Sequence, residues 1–355
     1  MSQTLAHIAG RPIGPGQPPY VVAEMSGNHN GDIQRALDLI TAAAEAGADA
    51  VKIQTYTADT ITLDHDGPGF RIQGGLWDGR RLHELYAEAH TPWDWHAPLF
   101  EQARRVGVTL FSSPFDFTAV DLLEDLGAPA YKIASFELVD LPLIRRCAAT
   151  GRPLVMSTGM ASEVEIAEAV EAARGAGAKD LIVLHCTSAY PAPMSSMNLA
   201  TLADMAKRFG VMTGLSDHTL GTAASVAAVA LGAVFIEKHF TLSRAAGGVD
   251  SAFSLEPAEL ADLVRSCRGA WEALGHIAYG PGEAEAGSAS MRRSLYVSAP
   301  VRKGEAFSAA NVRSVRPGQG LPPKHLDAVV GQRATRDIPF GEPLDWSMVE
   351  GGAPA

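Results

Sequence analysis

Cysteine and positive charge are both scarce in this chain, and each shortage excludes a class of protein. The 3 cysteines, Cys147, Cys186 and Cys267, are scattered and odd in number, so they form neither a disulfide framework nor a paired-cysteine zinc motif. The formal net charge of −11 disfavours nucleic acid or an anionic membrane as a partner. We therefore expect buried free thiols, and any anionic ligand must be held by locally placed cations and backbone dipoles.

No stretch of the sequence has the pattern of a targeting or membrane-spanning segment. The first 20 residues are rich in Gly and Pro and do not show a charged start followed by an apolar core. The longest run of small apolar residues, Ala223 to Ile236, is too short to cross a bilayer and contains Ser225 and Gly232. These patterns predict a soluble cytoplasmic protein in a reducing compartment.

What the sequence does contain is a repeated alternation of short apolar runs and helix-length segments, punctuated by glycines. With 355 residues and 46% hydrophobic content, a large core is easily built. The runs are mostly continuous, which is typical of parallel strands buried on both faces. The predicted strands are Tyr20–Ala23, Ala50–Ile53, Thr109–Phe111, Ala130–Ile133, Leu154–Met156, Leu181–Leu184, Val211–Thr213 and Val234–Ile236.

Eight parallel strand–helix units predict an α/β fold, a closed (β/α)8 TIM barrel. An open doubly wound sheet is the alternative, but no GxGxxG fingerprint follows the first strand. We expect the first helix to begin at Asp32 and stop at Gly47, a capping box at Ser162 and Glu165, and a final helix over Pro257–Leu274. The predicted buried face of the first helix consists of Ile33, Leu37, Ile40 and Ala44.

A long insert interrupts the barrel rhythm between the second and third strands. It covers Thr57–Thr91 and is rich in Gly and aromatic residues, among them Phe70, Trp77 and Tyr86. Loops of this length in compact domains are uncommon and usually functional. We interpret the insert as a lid over the barrel mouth with a short helix near residues 81–89; an ornament that only packs on the surface is the alternative.

After the predicted barrel, the alternation of strands and helices gives way to a linker and short strand-like segments. We expect a catalytic barrel over residues 1–279, a linker over 280–293, and a small β-rich module over 294–355 that is too small to carry chemistry alone. Short strands are predicted at Ser294–Ser298, Gly304–Glu305 and Val312–Val315, and a turn of helix at Lys324–Val330.

Polar side chains follow the predicted strands where each strand ends, which is where barrel enzymes place their reactive groups. Lys52 and Lys132 each lie inside an apolar run and are surrounded by hydroxyl residues, a combination that suits a phosphate monoester. A single lysine there would more simply be a surface group with a buried stem. Glu24, at the same rim, is either a general base or a structural partner of a lysine.

Two motifs, GLSDH ending at His218 and EKH ending at His239, follow the seventh and eighth strands. Neighbouring strand ends would bring the two imidazoles side by side, where they could hold a divalent metal. Two ligands without a third are a weak signal, and two separately hydrogen-bonded histidines remain the alternative.

The strand-end motifs together resemble the sialic acid synthase family, which combines a barrel with a C-terminal antifreeze-like (SAF) domain. The resemblance covers nearly the whole chain. The matching segments are Ala23–Gly31, Val51–Thr55, Ser112–Phe115, Ala130–Glu137, Ser157–Met160, His185–Ser188, Tyr190–Pro191, Gly214–His218, Glu237–Phe240 and Val315–Gly318.

Within the family, the pseudaminic acid synthases look most similar. The insert residues Gly74–Asp78, Leu82–Tyr86 and Thr91–His96 resemble that branch, as do Ser113 and Ser188, where sialic acid synthases often carry Thr and Asn. The resemblance implies condensation of phosphoenolpyruvate with 2,4-diacetamido-2,4,6-trideoxy-L-altrose, in its open-chain form, to a nine-carbon 2-keto acid with release of phosphate. The legionaminic and N-acetylneuraminic acid synthases are the nearest alternatives.

The resemblance also implies roles for individual residues. Glu24, His218 and His239 are expected to be catalytic, with a divalent metal on the two histidines; Mn²⁺ is the expected metal, with Mg²⁺ or Co²⁺ as alternatives. The residues expected to bind phosphoenolpyruvate are Lys52, Ser113, Lys132, Ser135, Ser157, Ser188 and Ser216. Those expected to bind the N-acylated amino sugar are Gln54, Tyr190, Asp250 and Arg316.

In this family the residue matching Arg316 reaches into the partner subunit's barrel, which implies a domain-swapped homodimer. By itself Arg316 has the sequence context of a surface arginine. Two other classes of function stay open: a Schiff-base aldolase with Lys132 as nucleophile, and a non-catalytic carbohydrate-binding protein.

Overall fold

The eight apolar runs form one closed parallel barrel in the computed structural model, which describes residues 5–354. The predicted TIM barrel is therefore confirmed, and the open doubly wound sheet is excluded. The barrel strands are β3 (Tyr20–Glu24), β4 (Ala50–Thr55), β5 (Thr109–Pro114), β6 (Tyr131–Ile133), β7 (Leu154–Ser157), β8 (Leu181–Cys186), β9 (Met212–Asp217) and β10 (Phe235–His239). The ring closes where β10 pairs with β3 in parallel register.

An antiparallel hairpin, which is not among the predicted strands, precedes the barrel. It consists of β1 (Ala6–Ile8) and β2 (Arg11–Ile13). Its buried residues Ala6, Ile8 and Ile13 pack with the inward-facing apolar side chains near the beginnings of the barrel strands. The hairpin thereby closes the amino-terminal end of the barrel and leaves the carboxyl end to the polar residues.

Helices surround the barrel and cover the outward-facing side chains of its strands. The helices of this unit are α1 (Ile33–Glu45), α2 (Ala58–Ile61), α3 (Leu82–Ala89), α4 (His96–Val106), α5 (Phe117–Asp125), α6 (Leu141–Ala148), α7 (Glu163–Gly175), α8 (Thr201–Phe209), α9 (Ala223–Ala230) and α10 (Pro257–Leu274). Among residues 5–354, no helix is long and apolar enough to cross a bilayer.

The predicted helix boundaries at Asp32 and Pro257–Leu274 are confirmed, but the predicted buried face of α1 is wrong in part. Asp32 caps α1 by accepting a hydrogen bond from the Gln34 amide. The fully buried residues are Ala36, Leu39, Ile40 and Ala43, whereas Ile33, Leu37 and Ala44 are only partly covered. The buried residues are spaced three and four positions apart and form one stripe of the helix, and Leu37 and Ala44 each lie one position beyond it, at its edge.

Contacts within the chain divide it into two units after Gly275. In the second unit, β11 (Ser294–Val297) and β12 (Val312–Val315) pair antiparallel over a separate apolar core. The helices of this unit are α11 (Ala286–Ala289) and α12 (Leu326–Val329). The predicted strand at Gly304–Glu305 is wrong, because Gly304 has a φ of 81° and forms a turn. The predicted boundaries at residues 279 and 293 stay a prediction.

The insert after β4 contains α2 and α3, and the predicted helix over residues 81–89 is confirmed, with Arg81 as its N-cap. Its Trp77 Nε1 donates a hydrogen bond to the Val249 carbonyl oxygen at 3.0 Å, and its ring lies 5.7 Å from that of Tyr190. The insert therefore contacts the loop after β10 at the carboxyl end of the barrel, as a lid would.

The capping box at the start of α7 generates a stability prediction. The Ser162 hydroxyl accepts from the Glu165 amide, and the Glu165 carboxylate accepts from the Ser162 amide. Because Ser162→Ala removes one of these bonds, we expect a loss of about 1 kcal/mol in the free energy of unfolding, measured by urea titration. The exposed Glu168→Ala in the same helix is the control; equal stability of both variants would contradict the capping role.

Candidate active site at the carboxyl end of the barrel

Strand periodicity determines which polar side chains enter the barrel. Side chains alternate between the two faces of a strand, so a residue two positions after an inward apolar residue also points inward. Val22, Ala50, Phe111, Ala130 and Phe235 belong to the inner apolar cluster. The residues two positions later at the carboxyl end are Glu24, Lys52, Ser113, Lys132 and Glu237. The barrel thus changes from apolar to charged along its own axis.

These side chains form one buried cluster of two ammonium groups and two carboxylates. Lys52 Nζ lies 2.7 Å from Glu24 Oε2 and 3.7 Å from Glu237 Oε1, and Lys132 Nζ lies 3.2 Å from the same Glu237 oxygen. Lys52 Nζ also donates to Ser113 Oγ at 3.2 Å. A balanced cluster of this kind is what allows four ionisable groups to stay buried together.

The pKa values of these ionisable groups are shifted in different directions. Burial alone would raise the pKa of Glu237, but Lys132 and Lys52 outweigh it and lower this pKa. Burial raises the pKa of Glu24, against the opposing attraction of Lys52, and burial also lowers the pKa of Lys132. Glu237 is therefore the ionised partner of both lysines, and Glu24 is the carboxylate that accepts a proton more readily.

Serine hydroxyls surround this cluster on the neighbouring strand ends. Ser216 Oγ donates to Glu237 Oε1 at 3.4 Å, and the Gly159 amide donates to Ser135 Oγ at 3.1 Å. A Cβ at Gly159 would collide with the hydroxyls of Ser135 and Ser188, so only glycine allows these two to converge. The Ser157 hydroxyl is buried and has no hydrogen-bond partner among the described residues. The site thus has hydroxyl donors that a ligand could use.

The two predicted histidines lie side by side at the same rim. The ring centroids of His218 and His239 are 5.2 Å apart. The His218 Nδ1–H donates to the Thr187 carbonyl oxygen at 3.0 Å, which orients the ring and leaves Nε2 for another partner. Burial, with the neighbouring imidazole and lysines, lowers the pKa of His239 well below its usual value. His239 is consequently neutral at pH 7 and able to ligate a metal.

The described residues fit a divalent metal only if its ligands come partly from substrate or water. His239 Nδ1 is buried, lacks a hydrogen-bond partner in the described part of the chain, and lies 4.0 Å from Asp250 Oδ2. Within residues 5–354 there is no group of three or more His, Cys, Asp or Glu side chains arranged to hold a metal. Two imidazoles with open positions resemble a catalytic rather than a structural metal site.

The residues predicted to bind the sugar line the other side of this rim. Gln54 Nε2 donates to Glu24 Oε1 at 2.8 Å and to Ser26 Oγ at 3.2 Å, and Ser26 in turn donates to Asp250. The Tyr190 ring lies 4.4 Å from the His218 ring. A continuous polar chain therefore runs from the lysine cluster past Glu24 and Gln54 to Asp250, beside the imidazoles.

The structure brings the predicted barrel residues to one end of the barrel, while Arg316 belongs to the second unit. Arg316 follows β12 and is exposed. Two residues of the site were not predicted from the sequence: Glu237, which connects the two lysines, and Ser26, which connects Gln54 to Asp250. The available signal for Glu237 was its position two residues before His239, since residues at this spacing share a face of a strand.

Comparisons with known proteins agree with this arrangement. The NeuB family model matches residues 39–279, and the SAF domain model matches residues 292–350. The chain is 45% identical over 325 residues to a pseudaminic acid synthase of Campylobacter jejuni, which covers 92% of this chain and 95% of the relative. It is 42% identical over 336 residues to a pseudaminic acid synthase of Helicobacter pylori, and the match covers 94% of this chain and 98% of the relative.

A solved structure extends the comparison to three dimensions. The N-acetylneuraminic acid synthetase of Leptospira borgpetersenii superimposes with a TM-score of 0.72 at 30% identity and covers 81% of this chain and 95% of its own. The predicted resemblance is thereby confirmed. The family model spans more than half of the chain, the barrel is closed, and an antifreeze-like module follows it, so this chain belongs to the NeuB family of sialic acid synthases and carries a C-terminal SAF domain.

Proposed function

We propose that this enzyme condenses phosphoenolpyruvate with 2,4-diacetamido-2,4,6-trideoxy-L-altrose to a nine-carbon 2-keto acid and releases phosphate, as a pseudaminic acid synthase. The observation that carries the proposal is the convergence of two lysines and two histidines on one barrel rim, together with 45% identity to a relative of that name. Legionaminic and N-acetylneuraminic acid synthesis are the alternatives, because they need the same rim and differ in the sugar.

Phosphoenolpyruvate is proposed to bind at the lysine cluster. Its phosphate and carboxylate would take over hydrogen bonds that Lys52 and Lys132 now make to Glu24 and Glu237. An anion beside Lys132 favours the ammonium form that burial opposes. The hydroxyls proposed to complete the anion site are those of Ser113, Ser135, Ser157, Ser188 and Ser216.

The sugar is proposed to lie between the lysine cluster and the imidazoles. His218 and His239 would hold the divalent metal, with Mn²⁺ preferred, and Gln54, Tyr190 and Asp250 would contact the sugar. When bound, the metal supplies Lewis-acid polarisation of the aldehyde oxygen. The two imidazoles, fixed at neighbouring strand ends, would hold the metal at the rim and so orient the aldehyde end of the sugar towards phosphoenolpyruvate.

The chemistry needs one carbon–carbon bond, one water and one proton carrier. C3 of phosphoenolpyruvate attacks the aldehyde carbon, water adds at C2, and the tetrahedral intermediate loses phosphate by C–O cleavage. Glu24 is proposed to handle the proton or to orient the water, because burial raises its pKa and Gln54 fixes its carboxylate at 2.8 Å. The lid residue Trp77 would help to exclude bulk water from this step.

The second unit is proposed to complete the sugar site of a partner subunit. By its resemblance to the family, Arg316 would bind an N-acyl carbonyl of the sugar in the barrel of the other copy, in a domain-swapped homodimer. Its exposure in the single chain is compatible with this role. The location of the enzyme in the cytoplasm stays a prediction.

The acceptor is tested by mass spectrometry of the product. The purified protein is incubated with phosphoenolpyruvate and one hexose at a time, and phosphate release is followed in parallel. We expect the diacetamido-trideoxy-altrose to give a nine-carbon acid at a kcat/KM at least about tenfold above other acceptors, since the site must tell its acyl and hydroxyl groups apart. Preference for N-acetylmannosamine would contradict the proposed branch.

The metal is tested by removing and restoring it. We expect EDTA to lower turnover by about a hundredfold or more and Mn²⁺ to restore it, because the metal contributes several kcal/mol of charge stabilisation. His239→Ala should show the same loss without rescue, whereas the control His7→Ala, in the hairpin at the opposite end of the barrel, should not. Full activity after EDTA, with borohydride trapping at Lys132, would favour a Schiff-base aldolase instead.

The role of Arg316 is tested by comparing the two substrates. Loss of a charge-assisted hydrogen bond in Arg316→Ala should raise the KM for the sugar roughly ten- to hundredfold and leave that for phosphoenolpyruvate within about twofold. Arg313→Ala, exposed on β12, is the control. Equal losses for both substrates would contradict the proposal.

Mixing subunits tests whether Arg316 acts across the dimer. Exchange between Arg316→Ala and His239→Ala dimers creates heterodimers with one intact site, so about a quarter of native activity should return. No recovery after verified subunit exchange would contradict a trans-acting arginine.

A further inference from the structure

A second buried ion pair lies directly behind the two histidines. Asp217 precedes His218 at the end of β9, Lys238 precedes His239 at the end of β10, and the two are register partners in the parallel ladder. Lys238 Nζ lies 2.9 Å from Asp217 Oδ2, and both side chains are almost completely buried, with 1% and 0% exposure. The pair thus connects β9 and β10 at the residues that directly precede the two histidines.

This pair faces the helix layer and not the pocket. Glu237 and His239 share the inner face of β10, so Lys238 between them points outward. The Ser225 hydroxyl on α9 donates to Asp217 Oδ2 at 2.6 Å, which places the carboxylate against that helix. Asp217 and Lys238 therefore cannot touch a substrate or a metal in the barrel mouth.

The pair also fixes the turn that carries His218. Lys238 Nζ donates to the Thr219 carbonyl oxygen at 2.6 Å, and the Thr219 amide donates to Asp217 Oδ1 at 2.8 Å. His218 lies between two residues that are held by this network, and His239 follows the third. The backbone at His218 is therefore joined to the backbone at His239 by buried, charge-assisted hydrogen bonds between the ends of β9 and β10.

We propose that Asp217 and Lys238 are positioning residues that set the separation of His218 and His239 for metal binding. The inference rests on the proposed metal at these histidines. A metal with two imidazole ligands requires both rings to be oriented within a narrow range, and the groups that hold the ligands control its affinity. Among residues 5–354, neither imidazole has a carboxylate at hydrogen-bond distance: His218 Nδ1 bonds the Thr187 carbonyl oxygen, and Asp250 Oδ2 lies 4.0 Å from His239 Nδ1.

The alternative is that the pair only stabilises the barrel. Buried ion pairs are often dispensable for stability when both partners are replaced together, whereas removing one partner leaves an unpaired charge. The two readings therefore differ most in a double variant. If the pair serves only stability, replacing both partners leaves the metal site intact; if it positions the rings, the metal affinity falls even when the protein stays folded.

The test is calorimetric titration of Mn²⁺ into the metal-free full-length protein, with thermal unfolding measured on the same samples. Lys238→Met and the double variant Asp217→Asn/Lys238→Met should both weaken Mn²⁺ binding about 10- to 100-fold, the range typical of residues that orient metal ligands. Lys238→Arg, which restores the charge, should recover part of the affinity. At saturating Mn²⁺, the KM for phosphoenolpyruvate should stay within about twofold.

A control ion pair lies at the opposite end of the barrel, where the partly exposed Arg268 has Nη2 3.1 Å from Asp49 Oδ1. Arg268→Met should lower the Tm and leave Mn²⁺ affinity unchanged. The inference is overturned if the double variant is folded and binds Mn²⁺ within twofold of the native protein. If the native protein binds Mn²⁺ no better than His218→Ala/His239→Ala, the metal site itself fails, and the inference fails with it.

Discussion

The constraint on which the rest of this structure depends is charge balance inside the barrel. Lys52 and Lys132 enter an interior that is otherwise apolar, and Glu24 and Glu237 hold them there at 2.7 and 3.2 Å. Without the carboxylates the ammonium groups would lose their protons or leave the site. The carboxylates therefore keep the two lysines charged in the barrel mouth, and the proposed anion would take over hydrogen bonds that these carboxylates now accept.

Because side chains alternate along a strand, polar residues at the ends of β9 and β10 face either the barrel mouth or the helices. Glu237 and His239 point into the mouth, and Lys238 between them points to the helices. The same alternation on β9 separates Ser216 from Asp217. Consequently the residues proposed to meet ligands and the residues that join the strand ends are neighbours in sequence, and the two short motifs GLSDH and EKH contain both.

Much of this organisation could be predicted from the sequence, because continuous apolar runs and polar strand ends are direct consequences of a buried parallel sheet. The barrel, α10 and the family were predicted and are confirmed. The hairpin over residues 6–13 was missed because its strands have only 3 residues each and lie in a Gly- and Pro-rich segment. The turn at Gly304 was mistaken for a strand, since a left-handed glycine leaves no periodic signal.

Contacts between distant residues could not be read from the sequence. The position of Glu237 between two lysines from β4 and β6 depends on the closure of the ring, and no local pattern encodes it. The same holds for the bond from Trp77 in the insert to Val249, which are 172 residues apart. The roles of the individual site residues remain predictions, and these contacts indicate which residues to substitute in testing them.

The most direct measurement is the ³¹P NMR linewidth of phosphoenolpyruvate bound to the enzyme in the presence of Mn²⁺. With phosphoenolpyruvate at the lysine cluster and Mn²⁺ at the imidazole pair, as proposed, the phosphate would lie close to the paramagnetic ion, so the native protein should broaden the bound signal strongly. His218→Ala/His239→Ala should bind phosphoenolpyruvate without that broadening. A native complex with bound phosphoenolpyruvate, bound Mn²⁺ and an unbroadened phosphorus signal would contradict the account.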